Sequence, residues 1–361
     1  MLVSLSQIAT SLGLSVTTVS RALGGYSDVA EMTRKRVIEE AERIGYRPNA
    51  VARRLRGGRS DAVGIVLPTG PGQLGEPFFL RLIAAIGPRL AEAGLDLIVS
   101  SARSGSEELA LYRQFVENRR VDAMIVARTR LDDDRIAYLR HARLPFVTHG
   151  RTRAGGHASV DIDGTRAFRE ATQRLVGFGH CRIGFIGAPL DYSFGFFREA
   201  GWRAALAEAG LPHGPTRFAE PNEENGHRLA HELLAGPERP TALLCATDRL
   251  AIGALHALGD AGLRPGYDVS VIGYDNSPVS NYAATPLTSY DPDIEGAAGR
   301  MLDMLLAQLA GRDGAGMNEL RGATLVPRRS DGPVPNPSGQ TKSRTISREE
   351  KSDDERPHDT A

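Results

Sequence analysis

Residues 4–23 read S-L-S-Q-I-A-T-S-L-G-L-S-V-T-T-V-S-R-A-L, and this spacing leaves room for little except two short helices folded about a glycine. Ser4 and Gln7 form the S-x-x-Q box, in which each side chain satisfies a backbone N–H at the helix start. Ile8 and Leu12 share one face. Gly13 supplies a turn that other residues would strain, and Ser15 is placed to cap the second helix, whose Val19, Ala22 and Leu23 point inward. Val16, Thr17, Thr18, Ser20 and Arg21 remain outside. Such a hairpin is either a solvated packing unit or a helix end offered to the major groove of DNA, where side chains reach base edges and hydroxyls hold phosphates.

A third helix is expected over roughly Glu31 to Ile44, ending at Gly45, and is followed by Y-R-P-N-A-V-A-R-R-L-R-G at 46–57. Pro48 breaks the preceding helix, Asn49 can cap a new one, and Ala50 to Arg56 is a short basic segment with an apolar edge. A helix this short is marginal in water, so the segment is expected to order only against DNA.

The runs V-T-T-V-S-R-A-L, T-R-K-R-V and G-Y-R-P-N-A-V-A-R-R-L resemble the headpiece of the LacI/GalR family of bacterial transcription regulators, and the likeness extends through most of the chain. The resemblance implies a dimer whose paired hinge helices enter the minor groove, each inserting a leucine, here Leu55, that unstacks a base step. Such a wedge costs a few kcal/mol, offset by the surface that the kinked duplex contacts. It assigns base reading to Val16, Thr17 and Arg21 and backbone positioning to Ser15, Thr18 and Ser20, with Asn49, Ala52 and Leu55 completing the DNA-facing set. Two departures stand out: Gly24-Gly25 replaces the usual asparagine, and Ala30 replaces a capping Ser or Thr.

Charge divides the chain in the same way. The whole sequence balances 44 Lys+Arg against 44 Asp+Glu, but residues 1–60 hold ten basic and five acidic side chains, a net of +5 that leaves −5 for the rest. Basic charge gathered on one small domain is the footprint of phosphate neutralisation and implies strongly salt-dependent binding.

At 361 residues the chain is long enough for several domains. No apolar stretch is long enough to span a bilayer and no signal-peptide pattern opens the sequence, so a cytoplasmic protein is expected. Cys181 and Cys245 lack metal-ligand spacing and read as two buried, reduced thiols, with no metal expected.

From Asp61 onward short apolar runs alternate with amphipathic helices, the pattern of an α/β fold with parallel sheets. Strands are expected at Ala62–Leu67, Leu95–Ser100, Ala123–Val126, Pro145–Thr148, Arg182–Ile186, Ala242–Ala246 and Val269–Gly273. Helices are expected at Phe79–Ala93, Glu107–Asn118, Arg166–Phe178, Arg198–Ala209, Gly226–Leu234, Asp248–Ala261 and Asp293–Leu309. The fold class is thus an all-α helix-turn-helix headpiece followed by a periplasmic-binding-protein-like α/β core of two Rossmann-like lobes. The domains run 1–47 for the headpiece, 48–60 for hinge helix and linker, and 61–328 for the core, with lobe boundaries near 160 and 290. The resemblance implies three crossings between lobes and a cavity between them. Residues 329–361, with Pro333, Pro335 and Pro337 and a mixed-charge end, are expected to be a disordered tail; no leucine heptad is present, which favours a homodimer.

Gly70-Pro-Gly-Gln-Leu-Gly75 matches the dinucleotide pattern G-x-G-x-x-G. Pro71 and Pro77 delay the helix, however, so the glycines sit in a loop and no cofactor is expected. A pocket for a polyol needs carboxylates and a guanidinium to grip hydroxyls in pairs, plus aromatic faces. Phe78, Phe79, His149, Arg198, Asp248 and Asp275 lie at strand ends or helix starts where they could form one. The resemblance makes Arg198, Asp248 and Asp275 the firmest of these, although Asp248 could instead cap its helix and Trp202 reads as core. A sugar is the expected effector, the T-H-G-R run at 148–151 pointing to a glucoside, with a purine next. A sugar-binding protein without a regulatory role would share the cleft but not the headpiece, and a dehydrogenase would need catalytic residues that the sequence lacks.

Overall fold

The computed structural model describes residues 4–46, 59–70, 76–103 and 105–334. The headpiece consists of α1 (Leu5–Leu12), α2 (Val16–Leu23) and α3 (Glu31–Arg43). Ser4 N donates to Gln7 Oε1 at 2.8 Å, and Gly13 takes the left-handed conformation (φ 64°) that the turn requires. Ile8, Ala9, Val19, Ala22, Val29, Val37 and Ala41 pack into one small core. No side chain caps α3 at Ala30; Arg34 instead fixes the preceding loop by donating to Tyr26 O at 2.7 Å.

Beyond the headpiece the chain enters β1 (Ala62–Pro68), β2 (Asp96–Ala102), β3 (Ala123–Val126), β4 (Phe146–His149) and β5 (Ala158–Ile162). A second set follows: β6 (Ile183–Gly187), β7 (Thr216–Phe218), β8 (Ala242–Cys245) and β9 (Ser270–Ile272). Finally β10 (Ser289–Asp291) pairs antiparallel with β12 (Thr324–Val326), while β11 (Asn318–Arg321) adds to the first set beside β5. The first sheet has the order β11-β5-β4-β3-β1-β2 and the second β7-β6-β8-β9, with every pairing parallel. β3 and β8 are buried throughout, as strands covered by helices on both faces must be.

The helices of the core are α4 (Pro77–Glu92), α5 (Gly105–Glu117), α6 (Asp134–Ala142), α7 (Gly164–Gly177), α8 (Ser193–Glu208), α9 (Glu223–Ala235), α10 (Asp248–Asp260), α11 (Pro278–Tyr282) and α12 (Ile294–Leu309). Several begin earlier than apolar periodicity indicated, and at α7 and α9 a polar side chain caps the new start. Asn222, for example, accepts from Asn225 N at 2.8 Å and starts α9 three residues before Gly226. α12 returns to pack on α4, β4 and β5 of the first set.

The chain passes between the two sheets at three places, around Asp163, at 292–293 and at 322–323. These passages are bonded to one another: Asp163 N donates to Arg321 O at 2.7 Å, and Arg321 Nη2 donates to Asp293 Oδ2 at 2.7 Å.

Two expectations are corrected here. Residues 329–334 are not tail but packed structure. Ser330 is fully buried, Asp331 pairs with Arg174 at 2.6 Å, and Val334 N donates to Phe178 O at 3.0 Å. Cys245 is buried but Cys181 is exposed, because it lies in the turn that links α7 to β6. The hinge residues Asn49, Ala52 and Leu55, the glycine loop at 71–75 and the chain from 335 onward lie outside the described residues. Among the described residues no helix is long and apolar enough to cross a membrane.

Candidate functional site

The C-terminal ends of both parallel sheets point into one cavity that opens to solvent. From the first set come Glu76 and Phe78 at the start of α4, Arg128 and Thr129 after β3, His149 and Gly150 at the end of β4, and Asp161 and Ile162 closing β5. The facing wall carries Phe194, Phe197 and Arg198 of α8, Thr247 and Asp275, and Gly164, Pro292 and Ile294 complete the lining. This is where an open parallel sheet places a ligand, since loops following the strands converge there.

Arg198 is the most constrained of these groups. Its guanidinium lies 3.8 Å from the centre of the Tyr274 ring and 4.9 Å from that of Phe194, donates to Ala246 O, and stands 3.9 Å from Asp275 Oδ1. Gly164 makes room for it, since a Cβ there would come within 3.0 Å of the Arg198 stem. Asp275 sits at φ 111°, a backbone conformation that L residues rarely adopt; its N–H donates to Tyr290 O at 2.9 Å and Arg81 donates to its carbonyl at 3.1 Å. Burial raises its carboxyl well above the usual aspartate range, against the pull of Arg198.

The opposite wall repeats this chemistry. Glu76 Oε2 and Arg128 Nη1 are 3.8 Å apart, and Arg128 Nη2 donates to Glu220 at 3.2 Å. Burial also raises the Glu76 carboxyl, with Arg128 pulling it back. Asp161 faces Arg151 at 3.1 Å, and burial pushes its carboxyl up to about 6. His149 packs against Phe78 with ring centres 4.9 Å apart, and burial lowers its imidazole to about 4, so it is neutral at pH 7 and can donate one hydrogen bond. Several buried atoms of the lining residues, namely Glu76 Oε2, Arg128 Nη1, His149 Nε2 and Arg198 Nε, have no hydrogen-bond partner among the described residues. Buried polar atoms left in this state cost free energy, which a ligand bearing hydroxyls would recover.

Of the residues expected from sequence, Phe78, His149, Arg198 and Asp275 line the cavity; Phe79 and Asp248 do not. Successive helical residues diverge by about 100°, so Phe78 and Phe79 cannot both face it, and Phe79 is buried in the core, edge-on to Phe78. Asp248 is fully buried one residue beyond Thr247, which caps α10. It accepts from Ser277 N at 2.7 Å, Ser280 Oγ at 2.5 Å and Ser289 Oγ at 2.6 Å, and so anchors the loop that carries Asp275. The sequence reading missed Glu76, Arg128, Asp161, Phe194, Phe197 and Thr247.

On the headpiece, Val16, Thr17 and Arg21 are exposed and Thr18 and Ser20 half-buried. Ser15 Oγ accepts from Thr18 N at 3.0 Å, which fixes the start of α2. Arg21 pairs with Asp28 and lies 4.9 Å from the centre of the Tyr26 ring.

A helix-turn-helix headpiece joined to a two-lobed α/β body with a polar cleft defines a class: regulators built on a periplasmic-binding-protein-like core. Residues 4–49 match the family described as bacterial regulatory proteins, lacI family, and residues 172–330 match the periplasmic binding protein-like domain. The HTH-type transcriptional regulator AglR of Rhizobium meliloti (strain 1021) is 36% identical over 352 residues, covering 94% of this chain and 98% of its own. Among solved structures, the transcriptional regulator CelR–cellobiose complex superposes with TM-score 0.71 at 30% identity, over 91% of this chain and 99% of the other. The lac repressor dimer bound to operator and the anti-inducer ONPF superposes with TM-score 0.79 at 27% identity, over 92% and 100%. The chain belongs to the lacI family of bacterial regulatory proteins and is a DNA-binding transcriptional regulator.

Proposed function

We propose that the protein is a repressor that binds operator DNA as a homodimer and changes its affinity when a sugar, a glucoside, fills the cavity. The observation that carries the ligand class is the lining itself: carboxylates of Glu76, Asp161 and Asp275, guanidinium groups of Arg128 and Arg198, and the neutral imidazole of His149, set among Phe78, Phe194 and Phe197. Alternating acceptors and fixed donors suit vicinal hydroxyls, and the phenyl faces suit the C–H side of a pyranose ring. The superposable CelR complex holds cellobiose, a glucose disaccharide, which adds support.

For the DNA end, the proposed contacts are Val16, Thr17 and Arg21 to bases, Ser15, Thr18 and Ser20 to the backbone, and Asn49, Ala52 and Leu55 in the minor groove. The dimer reading rests on exposed apolar side chains of α4 and α11, where Leu80 is 62% exposed, Val279 56% and Tyr282 84%. Isolated exposed groups of this size are unremarkable, but here Arg81 ties α4 to the loop leading into α11, which places them on one side of the core. The dimeric lac repressor complex supports the same reading.

Coupling follows from linkage: an effector that prefers the conformation unable to grip DNA lowers operator affinity, and DNA lowers effector affinity by the same factor. Thermal melting across mono- and disaccharides and nucleobases, then operator titration with whichever compound stabilises the fold, tests the proposal. A glucoside that raises Tm and shifts operator affinity is the expected result. Stabilisation by a nucleobase alone would replace the ligand class, and no effect of any compound on DNA affinity would end the allosteric reading.

A further inference from the structure

The second lobe carries a group of side chains that neither the cavity nor the headpiece uses. α9 and α10 are packed backbone to backbone. A Cβ on Gly226 would fall 2.3 Å from Leu250 O, and one on Gly253 would fall 2.1 Å from Glu223 O and 2.5 Å from His227 N, so only glycine permits the crossing. On the outer side of this contact each helix presents two potential ligands one turn apart, His227 and His231 on α9, His256 and Asp260 on α10. Residues at i and i+4 share a helix face, so each pair points the same way.

The close crossing brings the pairs together. The His227 and His256 rings are 5.1 Å apart, and His227 Nε2 lies 2.7 Å from Asp260 Oδ2. One ligand atom each from His227, His256 and Asp260 falls within 4.8 Å of the others, and all three reach solvent or its edge. The hydrogen bond from His227, helped by the nearby imidazoles of His256 and His231, holds the Asp260 carboxyl below the usual aspartate range.

We propose that His227, His256 and Asp260 form a binding site for a divalent transition metal of the zinc, nickel or copper type. Imidazole nitrogen with one carboxylate oxygen is the donor set these ions select, whereas calcium and magnesium require oxygen. Ligands drawn from two helices make the ion a clamp on the α9–α10 pair. The site is separate from the cavity, since Thr247, which lines the cavity, caps the start of α10, whereas His256 and Asp260 lie about 13 and 20 Å further along the helix axis.

Tag-free full-length protein titrated with Co²⁺ at pH 7.5 should develop visible d–d absorption saturating at one equivalent, and Zn²⁺ should displace it. Zn²⁺ should also raise Tm by several degrees once in excess of its Kd. Changes to outer-shell partners alone weaken metal sites by about 10–100-fold, so His227→Ala or His256→Ala, which delete ligands, should weaken Co²⁺ binding by at least about 100-fold. His231→Ala should cost less. All of these side chains lie at the surface, and an unchanged circular dichroism spectrum and metal-free Tm confirm folding. Co²⁺ binding that survives the His227→Ala/His256→Ala double variant, or no binding at millimolar Co²⁺ and Zn²⁺, would overturn the assignment. Neither result bears on the sugar reading, which is scored at the cavity.

Discussion

Glu76 Oε2 and Arg128 Nη1 oppose each other at 3.8 Å in the cavity wall, both largely buried and neither with a hydrogen-bond partner among the described residues. The gap is too wide for a direct hydrogen bond, and a hydroxyl accepting from the guanidinium and donating to the carboxylate would bridge it. Glu76→Gln keeps the shape and removes the acceptor charge. It should leave Tm within a few degrees of wild type while weakening binding of the stabilising sugar about tenfold or more, read by calorimetric titration. Arg128→Met strips a buried carboxylate of its counter-charge and should cost about 3 kcal/mol, seen as a Tm drop of roughly 6–12 °C without ligand. Equal sugar affinity in Glu76→Gln and wild type would remove this pair from the site.

Asp248 separates a structural role from a ligand role. Its carboxylate accepts from Ser277 N, Ser280 Oγ and Ser289 Oγ, so Asp248→Ala orphans three buried donors at about 1–3 kcal/mol each before any relaxation. The ligand-free Tm should fall by about 6 °C or more. A variant with normal Tm and impaired sugar binding would return Asp248 to the set of direct contacts.

Asp161 and His149 give the cavity a compensated acid response. The folded pKa of Asp161, about 6, lies above its unfolded value, so its contribution is present at low pH and lost as pH rises through 4 to 6. His149 has a folded pKa of about 4, below its unfolded value near 6.5, so its contribution is present at neutral pH and lost as pH falls through 6.5 to 4. The two slopes oppose each other. Asp161→Asn removes one carboxyl slope that opposes the histidine, alongside those of Glu76 and Asp275, so stability should fall more steeply than in wild type between pH 7 and 4.5, by on the order of 2 kcal/mol, with Tm falling accordingly. Melting curves across that range check it, and parallel wild-type and variant profiles would contradict it.

Arg21 is paired with Asp28. Asp28→Asn should free the guanidinium for phosphate or base, raise affinity for non-cognate duplex several-fold, and steepen the dependence of log K on log salt by about one. Arg21→Ala should make the same slope shallower by about one. Fluorescence anisotropy at several salt concentrations measures both. If the two substitutions leave the slope unaltered, α2 does not face the duplex at Arg21.

The legibility of the chain followed burial. β1, β3, β4, β6 and β8 are apolar runs because both sheet faces are covered, and the sequence reading placed them within a residue or two. β5 (A-S-V-D-I), β10 (S-Y-D) and β11 (N-E-L-R) went unread because polar side chains interrupt them, at the cavity in β5 and at an exposed edge in β11. Missing β5 meant missing Asp161, whose signal was a carboxylate inside an otherwise apolar alternation. Glu76 and Arg128 were hidden for a different reason. They are charges in loops, and only the packing of α4 against the strand ends buries them. Thr247 and Asp248 were confused because they are neighbours at a helix start, where one residue of offset turns a side chain from the cavity to the core.

The bonds linking Asp163, Arg321 and Asp293 fasten the three inter-lobe strands of backbone into a single narrow ribbon. Such a ribbon favours a swing of the two bodies about it, a swing that the direct cross-lobe bonds Leu131 N to Asp191 O and Ser193 N to Thr129 O, both 2.9 Å, would have to yield to. Whatever occupies the cleft can act on the rest of the molecule by shifting that swing, and loosening the ribbon, as with Asp293→Ala, should weaken the link between cleft and headpiece.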